Sequence, residues 1–198
     1  MEGPVKTILI LDGHPDPENG HLCHALARAY SVGAERAAHR PNLVRVADLD
    51  FPILRKPSDF TDEPSPENVR PVRDALLEAD HLVLIYPLWL GTLPSYTKGF
   101  LEQLLHYDTA FERSVDNRWP KGKMRGKSAR IVLTTGMPAL AYKLWYGAHS
   151  LKSLKRNILG FVGFKPVRST VFGMAEHAEP AQVGRWLKTM EKLGSRSI

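Results

Sequence analysis

Residues 80–105 read DHLVLIYPLWLGTLPSYTKGFLEQLL, from Asp80 to Leu105. The apolar run Leu82 to Tyr86, bounded by Asp80 and Pro87, predicts a buried strand of a parallel sheet. A turn follows, Pro87-Leu88-Trp89-Leu90-Gly91, and a helix opens around Pro94. Proline is tolerated there because its missing N–H has no partner in a first helical turn. Thr97, Phe100, Leu101, Leu104 and Leu105 fall at helical spacing and form the buried face. An indole and a glycine therefore stand at the carboxyl end of a central strand, the edge where open α/β sheets bind ligands. A broad planar cofactor is the expectation.

The rest of the chain extends the same alternation. Val5 to Leu11 predicts the first, central strand, ending at Asp12-Gly13-His14-Pro15. Leu22, Ala25, Leu26 and Ala29 mark the next helix. Leu43 to Val46 predicts the second strand, and Pro52 to Pro66 an excursion loop. Ser65-Pro66 reads as the cap and first turn of a helix carrying Val69, Val72, Leu76 and Leu77. His106 to Lys127 mixes charge, Pro and Gly and reads as a long loop. Ala129 to Thr134 is the fourth strand, and Met137 to Gly160 holds one or two short aromatic-rich helices. Val167 to Phe172 is the fifth strand. Val183, Trp186, Leu187 and Met190 mark the last helix. Strands alternating with helices predict an α/β fold, a doubly wound parallel sheet in one domain over residues 1–198.

A chain of 198 residues can bury one full α/β core. It has no apolar stretch of the ~18 residues a membrane helix needs, and Met1-Glu2-Gly3-Pro4 lacks the shape of a signal peptide. Cys23 is the only cysteine, which excludes an internal disulfide and points to a cytoplasmic location. The net charge of +6 is unevenly placed. Residues 117–175 carry twelve Lys or Arg and no Asp or Glu, leaving 15 of the 27 basic residues and all 21 acidic ones elsewhere. A solvated basic face or an anionic partner, such as cofactor phosphates or an anionic membrane, both fit. Nucleic acid is not expected, because no zinc-finger spacing or aromatic-basic RNA motif is present. No metal cluster stands out among the scattered histidines.

Pro87-Leu88-Trp89-x-Gly91-x-x-Pro94-x-x-x-Lys98-Gly99-Phe100 resembles the pattern of the NAD(P)H:quinone oxidoreductase family, flavoproteins of flavodoxin-like fold. Ile8 to Pro15, Leu133-Thr134-Thr135-Gly136 and Leu159 to Phe164 agree with it in order. The resemblance implies five strands in the order 2-1-3-4-5, a non-covalent flavin (FMN or FAD), NAD(P)H as hydride donor and a quinone-like acceptor.

Four segments carry the candidate site. The turn Asp12 to Cys23 lacks the Gly-rich dinucleotide and Walker patterns, but it places His14, Asn19, Gly20 and His21 ahead of a helix N-terminus, where free N–H groups favour an anion. The resemblance puts the flavin phosphate here and carries over His14, Asn19, His21 and Leu22. The family often shows a Ser or Thr and an aromatic where Glu18 to His21 stand. Pro87, Leu88, Trp89, Leu90 and Gly91 are the expected ring wall, with turn N–H groups reaching ring atoms. Thr134, Thr135 and Gly136 end a strand with N–H groups suited to negative charge on a reduced flavin. In related enzymes a Tyr and a His flank the substrate, which assigns Tyr142 and His149; His suits proton transfer near neutral pH. Trp145 and Tyr146 fit the core or a dimer contact equally well.

The expected function is a flavin-dependent NAD(P)H dehydrogenase (quinone), a homodimer with its site at the subunit interface. The alternative is a flavin-binding ancillary subunit of a membrane ion-efflux system, with the basic region meeting a membrane-protein partner. A flavodoxin-type electron carrier is disfavoured, because such carriers are usually acidic.

Overall fold

The computed structural model describes residues 4–61, 66–112 and 120–198. Its centre is an all-parallel sheet of β1 (Thr7–Asp12), β2 (Arg40–Arg45), β3 (His81–Pro87), β4 (Ser128–Thr135) and β5 (Val167–Gly173), in the order β2-β1-β3-β4-β5. This is the expected order. β1, β3 and β4 are buried on both faces, which is why they read as continuous apolar runs. Leu9, Leu11, Leu84 and Ile131 point to one face, beneath Leu76, Phe100 and Leu104. Ile8, Ile10, Val83 and Ile85 point to the other, beneath Leu26, Tyr30 and Met190.

Helices α1 (Leu22–Arg36), α2 (Pro57–Thr61), α3 (Arg70–Glu78), α4 (Ser95–Leu104), α5 (Tyr107–Ala110), α6 (Ala139–Leu144), α7 (His149–Ser153) and α8 (Pro180–Ser195) surround the sheet. Two glycines bring α1 and α8 into backbone contact. A Cβ on Gly33 would lie 2.0 Å from the Glu191 carbonyl oxygen, and one on Gly194 2.0 Å from that of Tyr30. The α4 face is as expected, with Thr97, Phe100, Leu101, Leu104 and Leu105 all buried.

Several boundaries differ from the expectation. β2 starts three residues before Leu43, at Arg40, because an edge strand is held by backbone pairing (Thr7 opposite Arg40) and needs no apolar side chain facing solvent. The two expected loops contain α2 and α5, and a bridge between Phe111 and Gly122 ties the second loop at its base. Leu77 lies on the exposed side of α3. The expected cap at Ser65 lies outside the described residues, as does Arg118 of the basic stretch. Among the described residues no helix is long and apolar enough to cross a membrane.

Candidate active site

In register, Asp12 stands beside Ile85, and Pro87 beside Thr134. The turns after β1, β3 and β4 therefore converge on the carboxyl edge of the sheet. The chain reverses direction of winding between β1 and β3, so this edge is also the topological switch point where a crevice forms. A cavity of about 400 Å³ opens there. His14, Gly20, His21 and Leu22 line it from the β1 turn and α1, Pro87 and Thr134 from the strand ends, and Glu176 and Val183 from the region after β5.

The β1 turn is densely bonded. His14 is only 8% exposed, and its ring stacks on His21 with centroids 3.8 Å apart. His14 Nδ1 accepts the Asp16 N–H at 3.2 Å. That bond assigns the hydrogen of the neutral ring to Nε2, which is left as a donor. Burial, followed by repulsion from His21 and His24, lowers the His14 pKa below its ordinary 6.5. Asp16 accepts the Glu18 N–H and bonds His21 Nε2 at 2.9 Å, and these contacts hold its carboxyl below the usual range.

His21 occupies the N-cap position of the 15-residue helix α1 without making a side-chain cap bond. The first-turn N–H groups of a helix have no intrahelical partner, so α1 presents a partial positive charge to the cavity. Asn19 does not join this arrangement. It is exposed, and its Oδ1 accepts from Arg28 at 3.4 Å. Reading along the chain could not see that competing partner nine residues away.

The β3 turn differs from the expectation in its donors. Leu88 N–H is spent on the Thr134 carbonyl at 2.8 Å, and Trp89 N–H on the Thr92 carbonyl at 2.9 Å. Leu90 and Gly91 take positive φ, +45° and +82°, as in a tight hairpin turn. The turn thus bonds to itself, and only Leu90 and Gly91 retain N–H groups that could reach a ring. Leu90 is fully in solvent and forms no wall. Trp89 is 49% exposed, and its ring stands edge-on to His14 at 6.0 Å, at the rim of the cavity.

Thr134 and Thr135 are buried. Thr134 Oγ1 lies 3.5 Å from Cys23 Sγ, and Thr135 Oγ1 accepts the Met137 N–H. A Cβ on Gly136 would lie 2.9 Å from the Glu176 carboxylate, so an acid flanks the very N–H groups expected to meet negative charge. Glu176 is the first acidic residue after the basic stretch, which was the one available signal.

Tyr142 does not line the cavity. It packs in the core at 2% exposure, its hydroxyl accepts the Leu151 N–H, and burial raises its pKa. The expected substrate-side role for Tyr142 has no opening to act through. His149 is exposed at the start of α7. Trp145 and Tyr146 are exposed, at 87% and 57%, and with Leu140 and Leu144 they form an open apolar face rather than core. Sequence reading also missed His24 and Asp12. Both are buried beneath the β1 turn, with His24 Nδ1 2.5 Å from Asp12 Oδ2.

A family model described as flavodoxin-like fold matches residues 6–193. A Haemophilus influenzae protein named as an uncharacterized NAD(P)H oxidoreductase is 28% identical over 109 residues, 54% of this chain and 53% of that protein. A Nostoc punctiforme FMN-dependent NADH:quinone oxidoreductase is 25% identical over 181 residues, covering 81% of this chain and 83% of that one. The chain spans between about half and two thirds of the length of the first curated relatives it matches. The solved NAD(P)H:quinone oxidoreductase of Methanothermobacter marburgensis superposes with a TM-score of 0.79 at 18% identity, covering 98% of this chain and 97% of that one. At that identity the likeness carries the fold alone.

Proposed function

The chain belongs to the flavodoxin-like fold family, and from that premise we propose that it is a flavin-dependent oxidoreductase moving two electrons from NADH or NADPH to a quinone-like acceptor. The observation that carries this reading is the uncapped N-terminus of α1, facing a cavity beside the neutral, Nε2–H form of His14. That donor set suits a phosphate without a lysine. The proposed cofactor is FMN, following the name of the Nostoc relative; that relative and the Haemophilus protein are both called oxidoreductases, which favours an enzyme over a regulatory module.

In this reading a bound flavin supplies the two-electron chemistry. His14 Nε2–H, His21 and the first-turn N–H groups of α1 hold its phosphate. Asp16, now paired with His21, must yield that ring to the phosphate. Pro87 and Thr134 line the cavity at the sheet edge and would contact the flavin, and Trp89 would close the rim. The N–H groups of Leu90, Gly91 and Gly136 serve its polar edge, since those of Leu88 and Trp89 are spent. His149 is the proposed proton donor to the acceptor. Leu140, Leu144, Trp145 and Tyr146 are the proposed contact with a second copy of the chain, whose burial would give them the cover they lack. The proposed compartment is the cytosol, on the strength of a single buried cysteine, Cys23, whose thiol pKa burial pushes up to about 12.

The test is direct. Purified protein incubated with FMN should show bound-flavin absorbance and a raised melting temperature, since a ligand that binds only the native state stabilises it by mass action. Without dioxygen, each bound flavin should oxidise one equivalent of NADH or NADPH, and turnover beyond that equivalent should need a quinone. Protein that stays colourless and unshifted in excess FMN and FAD ends this reading.

A further inference from the structure

Three consecutive carbonyls of the β1 turn are held by side chains from outside it. His24, on α1, places Nε2 3.2 Å from the Asp16 carbonyl oxygen and 3.1 Å from that of Glu18. Arg45, the last residue of β2, donates from Nη2 to the Pro17 carbonyl between them, at 2.5 Å. Carbonyl oxygens only accept, so His24 Nε2 carries a hydrogen, while Nδ1 faces Asp12 Oδ2 across the 2.5 Å contact. Arg45 Nη2 also lies 3.5 Å from His24 Nε2. Both are donors, so they meet as neighbours around the same carbonyls rather than as a bonded pair.

The arrangement is buried and mutually bonded. Asp12 and His24 are 1% and 4% exposed, and the free oxygen of Asp12, Oδ1, accepts the His14 N–H at 3.3 Å. One buried carboxylate therefore fixes both the His24 brace and the backbone of His14. Each carbonyl that points inward is an oxygen withheld from the cavity. In a trans peptide the following N–H points the opposite way. Pro17 has none and Glu18 donates to Asp16, which leaves the Asn19 N–H directed away from the brace.

We propose that His24 and Arg45 are positioning residues that draw the carbonyls of Asp16, Pro17 and Glu18 away from the cavity and so preset the β1 turn for the phosphate end of the cofactor. This rests on the flavin reading above. Neither residue touches the cofactor; each acts through the backbone. A turn left free would present carbonyl oxygens to an anion for part of the time, and the ligand would have to reorder it on binding.

The test compares FMN with riboflavin, which has the same ring and no phosphate, by equilibrium titration of the wild-type protein and three variants. In His24→Ala and Arg45→Ala the affinity for FMN should fall about tenfold or more, while riboflavin affinity stays within twofold. Arg45→Lys keeps one donor for the Pro17 carbonyl and should recover most of the FMN preference. A general structural role would weaken both ligands together, and no role would weaken neither; either result overturns the proposal. Should His24→Ala fail to fold, the Arg45 pair decides alone, because Arg45 sits at the sheet edge with its side chain 23% exposed. A wild-type protein that binds neither flavin overturns the flavin reading itself, and this is seen before any variant is made.

Discussion

The turns after β1 and β3 lie side by side at one sheet edge and are built in opposite ways. The β1 turn is sunk into the fold. His14, Asp12 and His24 are nearly buried, and side chains of α1 and β2 hold its carbonyls. The β3 turn stands out of the fold. It satisfies Trp89 and Thr92 through each other, and it leaves Trp89 half in solvent and Leu90 wholly so. The first is organised before any ligand arrives, since its order comes from buried contacts. The second gains burial only from something that covers it, and a flavin ring and a second chain are the proposed covers.

The sharpest way to break this comparison is to remove the preset donor. His14→Ala should weaken FMN by about 1.5–3 kcal/mol, the range for a hydrogen bond to a charged group, which is roughly a ten- to hundredfold rise in Kd. Riboflavin should be spared. Isothermal titration with both ligands checks this, and an unchanged FMN affinity would mean that the phosphate lies elsewhere.

Acid probes the same contrast, but His81 must be accounted for first. This residue lies at the opposite end of β3, is fully buried, and is pushed down to a pKa of about 3, chiefly by burial. Its folded pKa lies below the ordinary 6.5, so the stability it secures is complete above pH 6.5. That stability falls with pH as the unfolded chain takes up the proton, and it is lost by about pH 3. The loss should be about 1.4 kcal/mol per pH unit. Urea melts at pH 6.5 and pH 5 should therefore differ by about 2 kcal/mol through this group. His81→Gln should flatten that slope, and a parallel slope in the variant would show that another group carries it.

Trp89→Ala sharpens the other side. A buried Trp costs about 3–5 kcal/mol to remove, but this indole is already 49% exposed. The expected loss of flavin affinity is about 1–2 kcal/mol, with the melting temperature of the ligand-free protein barely moved. A large fall in ligand-free stability would show that the β3 turn is as integral as the β1 turn.

The smallest effect is expected at Leu90. Its side chain is in solvent and its φ is +45°, a region that costs a non-glycine residue about 1–2 kcal/mol. Leu90→Gly should leave ligand-free stability unchanged or raise it by up to about 1 kcal/mol. Sedimentation and turnover measured alongside tell whether Leu90 meets a second chain or a substrate; loss of either would give the exposed turn a role that its burial does not suggest.

How much could be read along the chain follows the range of the forces involved. β1, β3 and β4 were legible because a strand buried on both faces is apolar along most of its length, with polar residues such as Asp12 and His81 at its ends. The face of α4 was legible because Thr97, Phe100, Leu101, Leu104 and Leu105 repeat at the helical period. β2 was caught only in part, since Arg40, Pro41 and Asn42 pair through backbone that leaves no mark on side-chain type. The N–H groups of the Pro87–Gly91 turn were expected to reach ring atoms, and the fold gave those of Leu88 and Trp89 away, to Thr134 and Thr92.

Taken alone, the sequence determined the alternation of strand and helix, the sheet order through its resemblance to a family, and the placing of His14, Pro87 and Thr134 at strand ends. These follow from local periodicity and chain order. Only the tertiary structure decided that Tyr142 is core, that Asn19 faces Arg28, that Glu176 reaches Gly136, and that His24 and Arg45 close around three carbonyls. Each of these depends on which of several competing groups best fills a hydrogen bond or a void in the folded chain. That competition is settled by packing in three dimensions, where His24 and Arg45, 21 residues apart, become neighbours.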